Sequence, residues 1–337
     1  MLAKNPGRQP RPASAWLAAA AACTALANSS AVLAAESSGT YPQRSITLIV
    51  PFTPGTSADI IARVIGPKLS ERWKVPVVTE NRPGAGGNIG SELVARAAPD
   101  GYTLLMTATA FGTTPVLNKH TPFDPIKSFR PIGLAATSAM ALVAPGKLPA
   151  QSVQDLIELA RSQPGKLNYA SPGTGTAQHL AMELLKQSAG VNMVHIPYKG
   201  TAGALTDVMG GHAQAMVTSL GAATPFVQGR QLKVLAVMSK KRVAEMPDAP
   251  TVVEQGHPEL VVDTWYGLLA PAHTPDAIIA KWNRDLNELL RSPDVIANFQ
   301  GQGLVATGGT PEELGSLIAG ELARWAKVVD AAKIAAD

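Results

Sequence analysis

Two stretches of this sequence place glycine and hydroxyl residues where an apolar run gives way to a helical pattern. The first is Phe52-Thr53-Pro54-Gly55-Thr56-Ser57-Ala58-Asp59, and the second is Ser171-Pro172-Gly173-Thr174-Gly175-Thr176-Ala177-Gln178-His179-Leu180. The first N–H groups of a helix have no intrahelical acceptor, and the helix dipole adds positive potential there. Such a turn can hold an anion without any cationic side chain. Glycine lets the backbone come close to a ligand. Neither stretch contains Lys or Arg, so an anion would be held by amides, hydroxyls and water. Ordinary capping uses the same residue types, and for either loop alone both readings stand. One loop in each of two domains would set two anion-friendly helix ends across a cleft.

Other chemistries lack their parts. Asn81-Arg82-Pro83-Gly84-Ala85-Gly86-Gly87-Asn88-Ile89-Gly90 is glycine-rich, but Ile89 stands where a dinucleotide fingerprint needs its last glycine. No G-x-x-x-x-G-K is present to cradle phosphates. The six histidines include no pair three or four apart, so a helical metal pair is absent. A single cysteine permits neither an intrachain disulfide nor a cysteine-based zinc site. No G-x-S-x-G elbow marks a nucleophile, and Ser171 and His179 would pair only by accident of folding. No catalytic residue, no metal and no cofactor is assigned. Asp59 and Asp207 sit near helix starts, where a carboxylate complements the dipole. Trp265 and Tyr266 either flank a cleft or pack.

The elements that position these loops follow from periodicity. Residues 45–50 read as a buried strand and 58–73 as a helix, with Gly66-Pro67 a kink or an early stop. A strand at 75–80, a helix at 89–98 and a strand at 102–107 complete one βαβαβ set. A second set alternates strands at 139–144, 167–170, 191–196, 213–218 and 233–238 with helices at 152–161, 177–188 and 201–209. Ser152 is the expected N-cap of the first of these helices. Residues 261–269 look extended, and 276–290 and 311–329 carry helical stripes. The pattern predicts an α/β fold with mainly parallel sheets. With no flexible linker, the chain should cross between two domains twice, near 133–144 and 260–270.

With 337 residues, 46% hydrophobic and 16% charged, the chain has material for about two packed domains and is not a disordered segment. The formal charge of +4 invites a nucleic-acid reading until it is located. Lys4, Arg8 and Arg11 precede an apolar run from Trp16 to Ala27, and Ala31-Val32-Leu33-Ala34-Ala35 supplies small residues for cleavage. This reads as an export signal over 1–35, too short and interrupted to span a bilayer. A lipoprotein at Cys23 would want Leu three positions earlier, where Ala20 stands. Removing that segment leaves about 300 residues of near-neutral charge and no cysteine. Nucleic acid is then not an expected partner.

Several motifs together resemble one family. They are Asn81-Arg82-Pro83-Gly84-Ala85-Gly86-Gly87-Asn88-Ile89-Gly90, then Pro99-Asp100-Gly101-Tyr102-Thr103-Leu104, then Pro197-Tyr198-Lys199-Gly200-Thr201-Ala202 with Ala204-Leu205-Thr206-Asp207. Met246-Pro247-Asp248-Ala249-Pro250-Thr251-Val252 and Trp265-Tyr266-Gly267-Leu268-Leu269-Ala270-Pro271 follow in the same order. From about Tyr41 onward the chain resembles the Bug-type receptors of tripartite tricarboxylate transporters. The resemblance implies a type II periplasmic-binding fold: two α/β lobes joined by two crossing strands, with a ligand cleft between them. Lobe 1 would comprise 42–138 with 263–337, and lobe 2 would comprise 139–262.

The family's second-lobe motif S-x-G-x-G-x-x-x-H-L is matched by Ser171, Gly173, Gly175, His179 and Leu180. Its first-lobe motif P-G-G-x-x-D is matched by Pro54, Gly55 and Asp59, with Thr56 in place of the second glycine. That substitution leaves the ligand's identity open. The resemblance implies a periplasmic, monomeric receptor that captures a small carboxylate for an integral membrane permease. A di- or tricarboxylate, an amino acid and an aromatic acid all stay open as ligands. The expected ligand-binding set is Phe52, Thr53, Gly55, Thr56, Ser57 and Asp59, with Thr107 and Thr109 on the first-lobe wall. Ser171, Gly173, Thr174, Gly175, Thr176 and His179 face them, together with Ser219 and Trp265. An exported enzyme using the same cleft is the alternative, and it would need a nucleophile–base pair. The effector domain of a transcription regulator would need a DNA-binding helix-turn-helix instead of an export signal.

Overall fold

The computed structural model describes residues 1, 41–118, 121–198 and 200–334. Apart from Met1, the expected signal segment 1–35 lies outside the described residues. The chain divides into Met1–Gln43 and Arg44–Asp337, and every element below belongs to the second unit. It opens with β1 (Ile46–Val50), α1 (Ser57–Trp73), β2 (Val77–Asn81), α2 (Asn88–Ala95), β3 (Thr103–Ala108) and α3 (Ala110–Leu117). The long strand β4 (Phe129–Pro145) leads into α4 (Val153–Ser162), β5 (Asn168–Ser171), α5 (Ala177–Ala189) and β6 (Val194–Pro197). Next come α6 (Thr201–Gly210), β7 (Ala215–Ser219), α7 (Leu220–Gln228) and β8 (Leu232–Val237). The chain returns through β9 (Asp263–Pro271) to α8 (Asp276–Leu289), α9 (Pro293–Gln300), β10 (Val305–Ala306) and α10 (Pro311–Ala332).

The strand order is β2-β1-β3-β9-β4-β7-β5-β6, with β8 and β10 also pairing β4. The βα units supply parallel pairs, β1 with β2 and β3, and β5 with β6 and β7. The centre departs from the expected parallel arrangement. β9 runs antiparallel to β3 and β4, and β4 runs antiparallel to β7 and β8. These strands arrive from the other half of the chain, so no right-handed crossover sets their direction. The pairing of β4 changes along its length. Phe129 to Ala139 pairs with β9, whereas Met140 to Pro145 faces β7 and β8. Asp263, the first residue of β9, pairs with Ala139. Two lobes thus share one continuous strand.

Helix α1 continues past Pro67, so of the kink or early stop expected there the stop does not occur. Ile61, Ile65 and Leu69 on its inner face are fully buried. Three such side chains contribute about 1.5–3 kcal/mol each, against the roughly 3 kcal/mol that a mid-helix proline costs. Ser152 caps α4 as expected, its hydroxyl accepting the Asp155 N–H at 3.0 Å. Thr310 and Glu313 form a reciprocal capping box at the start of α10.

The cores place α10 across both lobes. Leu314 and Ile318, near its start, pack with Ile49, Leu105 and Leu269 of the first lobe. Trp325, Val328 and Val329, near its end, pack with Leu142, Tyr169, Leu180 and Val217 of the second. Arg324 donates to the carbonyls of Val261 at 2.7 Å and Glu259 at 2.8 Å, fixing the helix to the segment that leads into β9.

Candidate ligand-binding site

Both glycine-rich loops fold into the same local structure. In the first, Gly55 has φ +84°, and Thr56 is the extended N-cap (φ −74°, ψ 158°) of α1. In the second, Gly175 has φ +78°, and Thr176 is the extended N-cap (φ −66°, ψ 154°) of α5. The left-handed φ is why both positions hold glycine. Thr56 Oγ1 donates to Thr53 O at 3.0 Å, and Thr176 Oγ1 donates to Gly173 O at 2.8 Å. Each loop is then tied by the third residue of its helix. Asp59 Oδ2 accepts the Gly55 N–H at 2.9 Å, and His179 Nδ1 accepts the Gly175 N–H at 3.0 Å. Asp59 and His179, both buried, are structural counterparts.

Their electrostatics differ. Burial by itself would raise the Asp59 carboxyl. Hydrogen bonds from Arg63, from the Gly55 N–H and from Asn81 outweigh it and hold the group below the usual carboxylate range. Arg63 Nε lies 3.0 Å and Asn81 Nδ2 2.8 Å from Asp59 Oδ1. Burial pushes the pKa of His179 down, which favours the neutral ring whose Nδ1 accepts the Gly175 N–H. Beneath it lies a column of rings. His179 stacks on His195 at 3.9 Å and 9°, and His195 stacks on Tyr169 at 4.9 Å and 16°. His195 is pushed down to about 4, by burial first and by His179 second. Its Nε2 meets Ser171 Oγ at 2.7 Å, and Ser171 Oγ also accepts the Gly173 N–H at 3.2 Å. Glu183 receives the Tyr169 hydroxyl and Lys186 at the foot of the column.

The two loops face a cleft of about 880 Å³. Five helix starts reach its wall: Ser57 of α1, Ala110 of α3, Ala177 of α5, Thr201 of α6 and Gly221 of α7. Among the described residues lining it, none is charged at neutral pH. Each helix end is worth about 0.3–1 kcal/mol to an anion, and up to about 2 where it is partly buried. Ser57, Ala58 and Asp59 are the first three residues of α1, whose N–H groups have no helical acceptor, and no side chain caps them. In α5, Thr176 Oγ1 accepts the third such N–H, from His179, at 3.3 Å. The first loop thus presents one more uncapped amide than the second. Apolar wall is supplied by Phe52, Met140, Leu117 and Tyr266. Burial raises the Tyr266 hydroxyl, and a hydrogen bond with the Ser57 side chain opposes that rise.

Of the residues expected from sequence, Phe52, Gly55, Thr56, Ser57, Thr109, Thr174, Gly175, Thr176 and Ser219 line the cleft. Asp59, Ser171, Gly173 and His179 stand behind the loops and shape them. Thr53 supplies the carbonyl for Thr56. Thr107 is buried in β3. Trp265 is 1% exposed in the first-lobe core, and its strand neighbours Thr264 and Tyr266 face the cleft instead. Adjacent strand residues point to opposite faces, so the aromatic side chain on the ligand side is Tyr266. Sequence reasoning missed the wall given by α3, through Thr113, Thr114 and Leu117, and that given by Gln302 and Gly303. No periodic signal marks either segment.

The profile described as the tripartite tricarboxylate transporter family receptor matches residues 61–334. The chain belongs to this receptor family. The protein BugT of Bordetella pertussis is 36% identical over 302 residues, covering 88% of this chain and 92% of that one. An R. palustris protein solved with adipate superposes with a TM-score of 0.74 at 33% identity, covering 88% of this chain and 99% of that one. MatC from Rhodopseudomonas palustris, solved with bound malate, gives 0.71 at 30% identity, covering 86% and 100%. The two-lobed architecture with its shared strands is thus the fold of this receptor's relatives, and the protein is a solute-binding receptor by family.

Proposed function

We propose that this receptor captures a small carboxylate in the periplasm and presents it to a membrane permease, as a monomer and without catalysis. The observation that carries the reading is the pair of matched loops, whose helix ends aim amides at one cleft, where no charged side chain is found among the described lining residues. The N–H groups of Ser57 and Ala58 on one side and of Ala177 and Gln178 on the other hold carboxylate oxygens. Thr109, Thr174 and Ser219 add hydroxyls. Phe52 and Tyr266 cover the carbon skeleton. Asp59 and His179 position the loops rather than touch the ligand. The relatives solved with adipate and malate support a carboxylate ligand. The lobes turn about the Ser138–Ala139 and Val262–Asp263 boundaries, where β4 changes partners and β9 begins. The enzyme alternative gains nothing from the Ser171–His195 contact, since Ser171 is fully buried and its hydroxyl is engaged with Gly173.

Calorimetric titration of the purified chain with adipate, malate, an aromatic carboxylate and an amino acid tests this. Saturable one-to-one binding of a carboxylate, with the ligand recovered unchanged, is expected. Failure of every carboxylate to bind, or conversion of the bound one, would refute it.

A further inference from the structure

Gly55 and Gly175 occupy equivalent places in the two loops, yet only one of them is covered. Where a Cβ would stand on Gly55 there is open space. The same direction on Gly175 is filled by Leu117, with Cγ at 3.6 Å, Cδ2 at 3.7 Å and Cδ1 nearer still. Leu117 ends α3, which follows the first-lobe strand β3. Val116 and Leu117 pack on the core of the second lobe. The other end of α3 is anchored to a crossing strand. Thr109 N donates to Trp265 O at 3.1 Å, and Thr109 Oγ1 accepts the Trp265 N–H at 2.9 Å. Midway, Thr114 Oγ1 donates to Gly86 O at 3.2 Å, tying the helix to the first-lobe Gly84–Gly87 turn. Helix α3 therefore runs from the crossing strand β9 to the second-lobe ligand loop.

We propose that Leu117 is the closing contact between the lobes, a positioning residue that seats on Gly175 and couples the second-lobe ligand loop to closure. The contact buries apolar surface only while the lobes are together, so it favours the closed state over the open one. Gly175 then has two reasons to lack a side chain, its left-handed backbone and the leucine upon it. Gly55 has only the first. The inference rests on the receptor reading of the cleft, in that the two lobes move, and not on the identity of the ligand.

The equivalence of the two glycines supplies the control. Gly55→Ala and Gly175→Ala incur comparable backbone strain, and only the second meets Leu117. Nitroxide labels on Ala98→Cys and Glu158→Cys, in a chain with Cys23→Ser, report the distance between lobes by pulsed electron resonance without ligand. The parent and Gly55→Ala are expected to share the short distance. Leu117→Ala is expected to lower the ratio of closed to open molecules about tenfold, equivalent to about 1.4 kcal/mol. Gly175→Ala is expected to open the lobes as well, and adding Leu117→Ala to it to cause no further opening. With adipate as probe, dissociation from Leu117→Ala is expected to be about tenfold faster, with far-ultraviolet circular dichroism unchanged. An unchanged distance distribution in Leu117→Ala overturns the proposal, as do identical distributions for the two glycine variants. If adipate binds none of these proteins, adipate is not the ligand, and the distance measurement still decides the role of Leu117.

Discussion

The ring column beneath the second-lobe loop makes stability depend on pH in a way that can be isolated. His195 is held near a pKa of about 4 in the folded protein by burial and by its neighbour His179. In the unfolded chain a histidine titrates near about 6.5. The folded pKa is depressed, so between these values the unfolded state binds the extra proton and stability is lost as pH falls. Above about 6.5 neither state carries the proton, and below about 4 both do, so the loss is confined to that window. Going from about pH 7.5 to about pH 4.5, the single-site linkage expression gives about 2.5 kcal/mol for a shift of this size. The perturbation is His195→Gln, which keeps a polar group near Ser171 Oγ, 2.7 Å from the original Nε2, and cannot titrate. Urea unfolding at the two pH values, on parent and variant, reads the difference. Carboxylates elsewhere contribute to both proteins and cancel. The parent is expected to lose about 2–3 kcal/mol more than the variant over the interval. Equal losses would show that His195 is not held neutral by the column, and the account of the second-lobe loop would fall with it.

Other outcomes follow from the matched loops and the shared helix. Thr176→Ala should cost about 1 kcal/mol, because Thr176 Oγ1 caps the His179 N–H. Thr56→Ala should cost less than Thr176→Ala, since Thr56 makes no side-chain cap and bonds back to Thr53; equal midpoints in urea would contradict the difference. Asp59→Ala and His179→Ala each release one glycine N–H and should each cost about 1–3 kcal/mol. Both should also weaken carboxylate binding, and a calorimetric Kd unchanged in either would remove that residue from loop positioning. Trp325→Ala should cost about 3–5 kcal/mol, and hydrogen exchange should show the loss in β5 and β7 of the second lobe. Exchange confined to the first lobe would refute the bridging role of α10.

The ligand loops were legible in the sequence because their chemistry is local. Glycine, threonine and the third helical residue lie within a few positions of one another, and the backbone they specify is the one observed. What the sequence withheld was non-local. Helix α3 contains Gly112, two threonines and Pro115, and has no apolar stripe. Packing against α10 and the bonds from Thr109 and Thr114 hold it, and these partners are remote in the chain. Strand β4 was expected at 139–144 within an extended crossing near 133–144; the observed strand begins earlier, at Phe129, where β9 pairs it across register shifts around Pro131–Gly133 and Leu134–Ala136. For Trp265 and Tyr266 both flanking and packing stood open, and Trp265 was the one expected at the ligand. The structure buries Trp265 in the first-lobe core and lines the cleft with Tyr266, a choice set by the remote core and not by local alternation. The stripe on α10 announced burial but could not say that its two ends bury in different lobes.

That division of α10 bears on how the chain acquires its shape. Trp325, Val328 and Val329 complete a core whose other members lie between Met140 and Val262. During synthesis, these residues leave the ribosome about sixty positions after Val262, although nascent domains generally fold as units once emerged. The second lobe of a growing chain therefore has an open, apolar seat waiting for its closing helix, and its lasting assembly is postponed until that helix arrives. Docking of α10 is then the step that completes the second lobe and, in the same move, fastens it to the first.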